Sequence, residues 1–359
     1  NIKTIKDETY RFAYSFDLDS GFYHRTGMID EKGCDTGVDP FMASYPHLLD
    51  IGIMGSCIHG KTGRCLQAGV QCYQDGLHRS EPNMQLDDFK RIVDESKGQL
   101  FQVALGGRGD PEMHEDFEAI VAYCRENDIV PNMTTSGFGL TDEKADLIKA
   151  YCGAVAVSWY RSPYTLKAID LLVNKGIKTN IHYVLGNNSI DEAYEMVKHK
   201  KIPKGVNRVI FLLHKPVGLG QQDNVLKSDD PKVKDFFALF NEDRYCNIAG
   251  FDSCCVPGIV NFAPQVHLDS IDTCEAARYS AYITPDMKMT PCSFDQELKW
   301  QVDLHTYTVE EAWNAPTFNR FRNVLSMSCP SCEKRRACLG GCPIKKEIVL
   351  CKTLQEVKF

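Results

Sequence analysis

The sequence lacks the features that mark several large protein classes. It has no apolar run of the ~18 residues that a membrane-spanning helix needs, and no charged and apolar leader at its start. Acidic residues outnumber basic ones by 48 to 41, so the net charge of −7 gives no general attraction to nucleic acid or anionic lipid. We therefore expect a soluble, cytoplasmic protein whose partners include neither nucleic acid nor a membrane.

Cysteine is too sparse here for a disulfide scaffold, but it is strongly clustered. There are 16 cysteines in 359 residues, and with 43% apolar residues a chain of this length can bury a core without covalent staples. In a reducing compartment, clustered cysteines more often serve as metal ligands or catalysts. The cysteines therefore favour metal chemistry over disulfide bonding.

From residue 50 to about residue 240, short apolar runs alternate with amphipathic segments. The runs have the length and the β-branched content of strands, and the segments between them have helical periodicity. This alternation predicts an α/β fold with a parallel sheet, here a partial (β/α)6 TIM-like barrel, with an open doubly wound sheet as the competing geometry. The predicted strands are LDIGIM (49–54), QLFQVAL (99–105), IVPNMTT (129–135), AVAVSW (154–159), KTNIHYVL (178–185) and NRVIFLLH (207–214).

The chain divides into three parts around this pattern. Residues 49–245 hold the predicted barrel, and residues 246–359 form a small cysteine-rich domain. Residues 1–48 are a β-rich extension in which RFAYSFDLDSGFYHRTG predicts a hairpin. This hairpin is expected to cover the open side of the barrel, or to offer an edge to an added peptide strand.

Capping signals accompany the helical segments. Ser162 and Pro163 form an N-cap and first-turn pair, and Ser189 with Glu192 forms a capping box. Cys124 lies on an apolar helical stripe, which indicates a core residue and not a metal ligand.

Three unusual loops follow the first three predicted strands: residues 57–76, 106–111 and 134–139. In barrels of this kind, chemistry collects at the carboxyl ends of the strands. All three loops are therefore expected on one face. The first loop holds Cys57, Cys65 and Cys72 among several glycines.

The C-terminal cysteines have the spacing of a metal site. The run C-x2-C-x5-C-x3-C is preceded by the pairs Cys254/Cys255 and Cys274/Cys292 and followed by Cys351. Eight thiolates satisfy two four-cysteine sites, and such sites hold either zinc or [4Fe–4S] clusters. The three-cysteine loop favours iron and sulfur, because three ligands leave one corner of a cubane open for substrate or cofactor.

With these motifs the chain resembles the radical S-adenosylmethionine (radical SAM) superfamily with a C-terminal SPASM extension. The stretch from Cys274 to Cys292 matches the first part of the SPASM pattern, with Met287 where a glycine normally stands. The C-x2-C-x5-C-x3-C run and Cys351 match the rest. The barrel loop is less typical, because C-x7-C-x6-C replaces the usual C-x3-C-x2-C, and sequence leaves open a SAM cluster, a degenerate site or zinc.

The resemblance implies S-adenosylmethionine and three [4Fe–4S] clusters. One would bind S-adenosylmethionine and use the three cysteines of the barrel loop. One auxiliary cluster would use Cys274, Cys292, Cys342 and either Cys254 or Cys255, of which we favour Cys254. The other auxiliary cluster would use Cys329, Cys332, Cys338 and Cys351.

The resemblance also implies a binding site for S-adenosylmethionine itself. Asp110 aligns with the acid that contacts the amino group, and Gly109 lets the backbone approach. Ser136 and Ser158 stand where family members contact the carboxylate or the ribose. His59 and His78 flank the first loop and are candidate intruding ligands, but both are expected at the surface.

The implied activity is reductive cleavage of S-adenosylmethionine to a 5′-deoxyadenosyl radical that abstracts hydrogen from a substrate. We expect the substrate to be a ribosomally made peptide that acquires a thioether or carbon–carbon crosslink, with electrons from a flavodoxin or ferredoxin. The alternatives are oxidation of a small molecule, a sulfatase-type maturase and a zinc-containing binding protein. Ser293, where sulfatase activators have an aspartate, counts against the second of these.

Four residues at the ends of the fifth and sixth predicted strands are candidate substrate contacts: His182, Tyr183, His214 and Lys215. Three cysteines without matched partners are expected to be structural: Cys34, Cys152 and Cys246.

Overall fold

A computed structural model describes residues 1–353. The last six residues of the proposed 246–359 domain lie outside the described residues. Within residues 1–353 no helix is both long and apolar enough to cross a membrane. The strands are β1 (Ile2–Asp7), β2 (Phe12–Asp17), β3 (Tyr23–Arg25), β4 (Leu48–Met54), β5 (Gln102–Gly107), β6 (Val130–Thr135), β7 (Ala154–Ser158), β8 (Lys178–Leu185), β9 (Arg208–Leu213), β10 (Ala249–Phe251), β11 (Ser280–Ile283), β12 (Lys288–Thr290) and β13 (Val302–Asp303).

The six predicted strands are confirmed as β4 to β9, and helices alternate with them along the chain. The helices are α1 (Ile58–Lys61), α2 (Arg64–Gln67), α3 (Leu86–Ser96), α4 (Phe117–Glu126), α5 (Asp142–Tyr151), α6 (Pro163–Asn174), α7 (Ile190–Lys198), α8 (Pro231–Ala238), α9 (Asp243–Cys246), α10 (Val256–Phe262), α11 (Val309–Trp313), α12 (Pro316–Met327) and α13 (Arg335–Cys338).

The main sheet runs in the order β10-β9-β8-β7-β6-β5-β4-β11-β12-β13. Every neighbouring pair from β10 to β11 is parallel. The last two pairs, β11–β12 and β12–β13, are antiparallel. The C-terminal segment thus contributes strands to both edges of the six-stranded unit. This places the cysteine-rich segment beside the carboxyl ends of the barrel strands.

Alternation along each parallel strand separates a helix-facing core from the barrel interior. On β4, Leu49, Ile51 and Ile53 are fully buried against the helices, so Asp50 points to the opposite, inner face. The same period on β8 buries Tyr183 on the helix side, where its hydroxyl donates to the Ser189 carbonyl at 2.7 Å. The expectation that Tyr183 faces the cavity was therefore wrong.

The capping signals were half right. Ser162 caps α6, with Pro163 at the first position. Ser189 precedes α7, but its hydroxyl donates to the Val184 carbonyl at 2.8 Å and does not cap the helix. Glu192 pairs with Arg161 across the loop, so the predicted capping box does not form.

The N-terminal extension forms an antiparallel sheet in the order β1-β2-β3, which includes the predicted hairpin. Its buried side chains Phe12, Tyr14 and Phe16 pack with Phe101 and with Val130. Phe101 precedes β5 and Val130 begins β6, so this small sheet lies at the amino ends of the barrel strands. It therefore covers the base of the barrel, away from the loops that carry the cysteines.

Candidate functional site

The loop after β4 folds back on itself at the carboxyl ends of the strands. Cys57 caps α1, and its sulfur accepts the Gly60 N–H at 3.1 Å. A Cβ on Gly60 would lie 2.8 Å from the backbone of Gly76, and Gly63 has a left-handed φ of +70°. Glycine at these two positions lets the long loop make its turn and close approach.

The three thiols of this loop lie close enough together for the charge on one to affect the pKa of another. Burial, and then the charges of Asp110 and Cys72, raise the pKa of Cys57 to about 11. Burial, and then the charges of Cys72 and Cys57, raise the pKa of Cys65 to about 12. The pKa of Cys72 is also raised by burial. Such buried, protonated thiols fit a cationic centre, which would take the place of their protons.

Asp110 lies beside these thiols and is held in place by Ser136. The carboxylate accepts the Ser136 N–H at 2.6 Å and the Ser136 hydroxyl at 2.7 Å. Burial raises the pKa of Asp110. Gly109 has a φ of +135°, and a Cβ there would stand 2.4 Å from the Ser56 carbonyl. Ser158 lies further along the same face, at the end of β7 and opposite His182.

A small cavity opens between the cysteine loop and the loop after β6. Asp110 is its only charged lining residue among those described. The other residues are mostly apolar, which suits a ligand with one cationic group on an uncharged body. They are Met54, Ser56, Ile58, Met113, Phe138 and Gly139, none of which the sequence singled out.

His59 does not lie at the surface as expected. It is 1% exposed, and its Nδ1 stands 3.1 Å from the Cys65 sulfur while its Nε2 stands 2.6 Å from the Tyr164 hydroxyl. Burial, and then Arg64, lower the pKa of His59 to about 4. His78 is exposed as expected and pairs with Asp75.

Four C-terminal thiols form a second group. A hydrogen bond between Cys254 and Cys342 raises the pKa of the first and lowers that of the second. Burial and then the charge of Cys254 raise the pKa of Cys274 to about 12. Burial also raises the pKa of Cys292, and the charges of Cys254 and Cys274 contribute to that rise. Cys255 points away from the group, with its sulfur 3.7 Å from the Phe211 carbonyl.

The remaining C-terminal cysteines form a third group near the end of the described chain. Burial raises the pKa of Cys338 to about 11, and Cys351 and Cys329 add to that rise. Cys332 lies one turn after Cys329, whose carbonyl accepts its N–H at 3.1 Å. Three of the four predicted ligands, Cys329, Cys338 and Cys351, thus lie close enough for their charges to interact. The fourth, Cys332, is close to Cys329 in the sequence.

No three His, Cys, Asp or Glu side chains within residues 1–353 are arranged to hold a single metal ion. The donors are thiols in groups of three and four, which is the donor set that holds [4Fe–4S] clusters.

The backbone conformation of Met287 explains how this residue can replace the glycine of the SPASM pattern. Its φ is +65°, in the left-handed region that favours glycine, and its side chain is completely buried. The position therefore keeps the backbone conformation of a glycine, and burial of the methionine side chain offsets the strain.

Lys215 was expected to contact substrate but faces the second cysteine group. It is 3% exposed, its Nζ stands 2.9 Å from Asp252, and it lies over the Phe294 ring. The charges of Asp252 and of Cys254 raise its pKa against an opposing effect of burial. His214 is also occupied, since its Nε2 lies 3.0 Å from the Gln221 carbonyl. Of the four expected contacts, His182 is left facing the interior, with Nδ1 3.4 Å from the Thr134 hydroxyl.

Between the cysteine groups the barrel interior carries a carboxyl group that the sequence did not flag. Burial raises the pKa of Asp50 to about 7. Tyr282 pairs with it across β11 and β4, and a Cβ on Gly52 would lie 2.4 Å from the Tyr282 hydroxyl. Tyr73, next to Cys72, packs on Phe294 with ring centroids 4.2 Å apart. The signal for Asp50 was available, because an acid inside an apolar strand is unusual.

Comparison with known proteins agrees with this arrangement. Residues 274–339 match SPASM, an iron–sulfur cluster-binding domain. A PqqA peptide cyclase from Methylocella silvestris is 24% identical over 65% of this chain and 67% of its own length. A tungsten-containing aldehyde ferredoxin oxidoreductase cofactor-modifying protein from Pyrococcus furiosus is 22% identical over 77% of this chain and 86% of its own.

Two solved structures share the fold. Streptococcus suis SuiB bound to its precursor peptide SuiA has a TM-score of 0.66 at 16% identity, covering 87% of this chain and 77% of SuiB. The enzyme anSMEcpe with bound AdoMet and Kp18Cys peptide has a TM-score of 0.59 at 16% identity, covering 83% of this chain and 89% of its own. Residues 274–339 of the chain therefore match a SPASM domain, and the chain shares its fold with SuiB and anSMEcpe.

Proposed function

We propose that this protein is a radical SAM enzyme that modifies a peptide, forming a thioether or carbon–carbon crosslink. The observation that carries the proposal is the meeting of three cysteine thiols with Asp110 beside a small cavity at the carboxyl ends of the parallel strands. The peptide substrate is supported by the names of the relatives, which include a PqqA peptide cyclase and SuiB with a precursor peptide.

The cofactors would be held by residues already described. Cys57, Cys65 and Cys72 would hold the cluster that binds S-adenosylmethionine, and Asp110 would receive its amino group. When bound and reduced, this pair supplies a 5′-deoxyadenosyl radical, the hydrogen-abstracting species. We assign the auxiliary clusters to the two C-terminal cysteine groups: Cys254, Cys274, Cys292 and Cys342, and then Cys329, Cys332, Cys338 and Cys351.

The chain's own residues bind, orient and exclude water. Ser136 fixes the Asp110 carboxylate with two hydrogen bonds, so the acid presents one edge to the cavity. Ile58, Met113 and Phe138 give the cavity an apolar lining that keeps water from a reactive radical. Gly109 keeps the strand end free of a side chain that would fill this space.

A sulfatase-type activity is less well supported. Asp295, the acid closest in sequence to the expected base, accepts the N–H groups of Lys299 and Trp300 at 3.1 and 2.8 Å. These bonds use the carboxylate to hold its own loop. Small-molecule oxidation is the other alternative.

We further propose a cytoplasmic location and a flavodoxin or ferredoxin as electron donor. All 16 cysteines are free thiols in the structure, as expected of a reducing compartment. The iron–sulfur clusters of such a protein require a one-electron donor.

Anaerobic reconstitution tests the proposal. We expect about twelve irons per chain, four for each cluster, and formation of 5′-deoxyadenosine when S-adenosylmethionine and dithionite are added. Cys57→Ala should lose about a third of the iron and all of the 5′-deoxyadenosine, whereas Cys124→Ala, a core cysteine, should lose neither. Zinc in place of iron, or full iron without S-adenosylmethionine cleavage, would refute it.

The substrate is tested separately, with short peptides encoded beside the gene. Crosslinking removes two hydrogens, so mass spectrometry should show a loss of about 2 Da from the peptide that is the substrate. Cleavage of S-adenosylmethionine without any change in these peptides would favour small-molecule oxidation instead.

A further inference from the structure

His59 lies in the part of the loop that makes the first cysteine spacing unusually long. It belongs to α1, two residues after Cys57, and its ring sits among Phe138, Tyr160 and Tyr164 with centroids 4.3 to 5.9 Å away. The close approach of Gly60 to Gly76 folds this turn inward, which brings the imidazole to the Cys65 sulfur. The histidine is therefore built into the cysteine group.

The three sulfurs of the loop have different hydrogen-bond donors. Backbone N–H groups serve Cys57, from Gly60, and Cys72, from the residues that follow it. The neighbours of the Cys65 sulfur are instead side chains: His59 Nδ1 at 3.1 Å and the Tyr160 hydroxyl at 3.8 Å. At Cys65 an imidazole stands where the other two sulfurs have a peptide N–H.

We propose that His59 is a positioning residue that donates its Nδ1–H to the Cys65 thiolate when that thiolate binds iron, and thereby raises the reduction potential of the cluster. The inference rests on the proposed function, since it assumes a cluster at Cys57, Cys65 and Cys72. It assigns a role to His59, which is not one of the cysteine ligands of the motif.

The positions of the protons follow from the chemistry of the partners. A metal-bound thiolate has no proton to donate, so the proton between Cys65 and His59 must belong to Nδ1. Nε2 can then accept from the Tyr164 hydroxyl, which stands 2.6 Å away. The thiolate thus selects the tautomer, and the Tyr164 hydroxyl satisfies the other ring nitrogen, as outer partners do for histidines at metal sites.

The effect on reduction follows from charge. A reduced cluster is more negative than an oxidised one, so an N–H aimed at a ligand sulfur stabilises the reduced form more. The apolar and aromatic surroundings of His59 exclude water that would otherwise compete for this sulfur. Removing the donor should therefore make the cluster harder to reduce.

The test uses the reconstituted full-length protein without substrate. The signal followed is the electron paramagnetic resonance of the cluster that changes when S-adenosylmethionine is added, and its midpoint potential is measured. We expect His59→Leu to lower the equilibrium constant for reduction about tenfold, which is 59 mV for one electron. His59→Asn, whose amide places an N–H near the position of Nδ1, should restore at least half of that change. His78→Leu, at the exposed histidine, should change nothing.

A second measurement needs no variant. Protein labelled with 15N-histidine should show a weak hyperfine coupling to this cluster, as expected for a hydrogen-bonded and not a ligating nitrogen. An unchanged potential in His59→Leu, a strong coupling typical of an iron–nitrogen bond, or no coupling at all would overturn the inference. Absence of any S-adenosylmethionine-sensitive cluster in the parent protein would instead refute the proposed function.

Discussion

The barrel loop and the C-terminal region gather their cysteines in opposite ways. The loop collects three thiols from 16 consecutive residues, using short turns, glycines and backbone N–H groups within the loop. The C-terminal group of Cys254, Cys274, Cys292 and Cys342 comes from four separate segments, spread over almost 90 residues. A local site can tolerate an unusual spacing, because its residues need only turn back on themselves. A dispersed site depends on the surrounding fold.

The two regions also differ in charge. The dispersed group has a buried cation beside it, Lys215, paired with Asp252 at 2.9 Å. Beside the loop thiols stands a carboxylate, Asp110, with a neutral imidazole at Cys65. A buried cation stabilises a negative cluster, so the two environments should tune their centres differently.

The largest expected effect concerns the adjacent cysteines of the dispersed site. Cys254→Ala removes a thiol from the group, and we expect loss of about four irons per chain, one cluster's worth. Cys255→Ala removes a sulfur that points toward Phe211 and should keep all of the iron. Iron and sulfide analysis after identical reconstitution measures both. Full iron in both variants would show that either sulfur can ligate, and loss of iron in Cys255→Ala alone would contradict the assignment.

Removal of the clusters should destabilise the C-terminal region more than the barrel loop. Without clusters, the dispersed segments lose their shared ligand, whereas the loop keeps its backbone hydrogen bonds. We expect trypsin to cleave chelated protein at Lys299, seven residues after Cys292 of the dispersed group, at least about a hundredfold faster than the loaded protein.

Lys61 in the barrel loop is the internal control, because it is exposed like Lys299. Its cleavage rate should change much less on chelation. Peptide mapping by mass spectrometry distinguishes the sites, and first cleavage at Lys61 would contradict the local character of the loop.

The buried cation provides a smaller test. Lys215→Met leaves Asp252 without its partner and should lower the free energy of unfolding of loaded protein by about 2 kcal/mol, below the usual cost for fully buried pairs because Asp252 is 20% exposed. The double variant Lys215→Met/Asp252→Asn should recover part of this loss, since no unpaired charge remains. Denaturant unfolding measures both, and a double variant less stable than the single one would contradict a charge effect.

Sequence predicted what depends on period and spacing. The six strands followed from alternating apolar runs, and the common face of the three loops followed from parallel topology. The C-terminal cysteines were identifiable because their spacing forms a motif. Strand period would also have excluded Tyr183, since neighbouring residues such as His182 and Tyr183 cannot both face the interior.

What the sequence did not predict depends on the direction of single side chains. Cys254 and Cys255 are neighbours of identical chemistry, and only the turn that carries them decides which sulfur joins the group. His59 was expected at the surface because a long glycine-rich loop gives no periodic signal for burial. Lys215 was expected in the cavity, but its strand end turns toward Asp252 and the second cysteine group.

The smallest expected effect is a change in stability caused by Asp50, which lies between the barrel loop and the C-terminal segment. Asp50 stands in the barrel interior, near Tyr73 from the cysteine loop and Tyr282 from the C-terminal segment. Its pKa is about 7 in the folded protein and 3.8 in the unfolded chain. A carboxyl group with a raised pKa binds its proton more tightly in the folded state, so Asp50 lowers stability increasingly from about pH 4 to pH 7.

Asp50→Asn removes this penalty and keeps the shape of the side chain. The shift from 3.8 to about 7 sets an upper bound of about 4 kcal/mol, and because Asp50 is only partly buried we expect the variant to gain about 1–2 kcal/mol at pH 8. Almost no gain is expected at pH 3, where Asp50 is protonated in the folded state and mostly protonated in the unfolded chain. Asp269→Asn, at an exposed position, should change stability by less than about 0.5 kcal/mol at either pH. Denaturant unfolding across this range measures the difference. A gain independent of pH would mean that packing, and not the charge of Asp50, separates the variant from the parent.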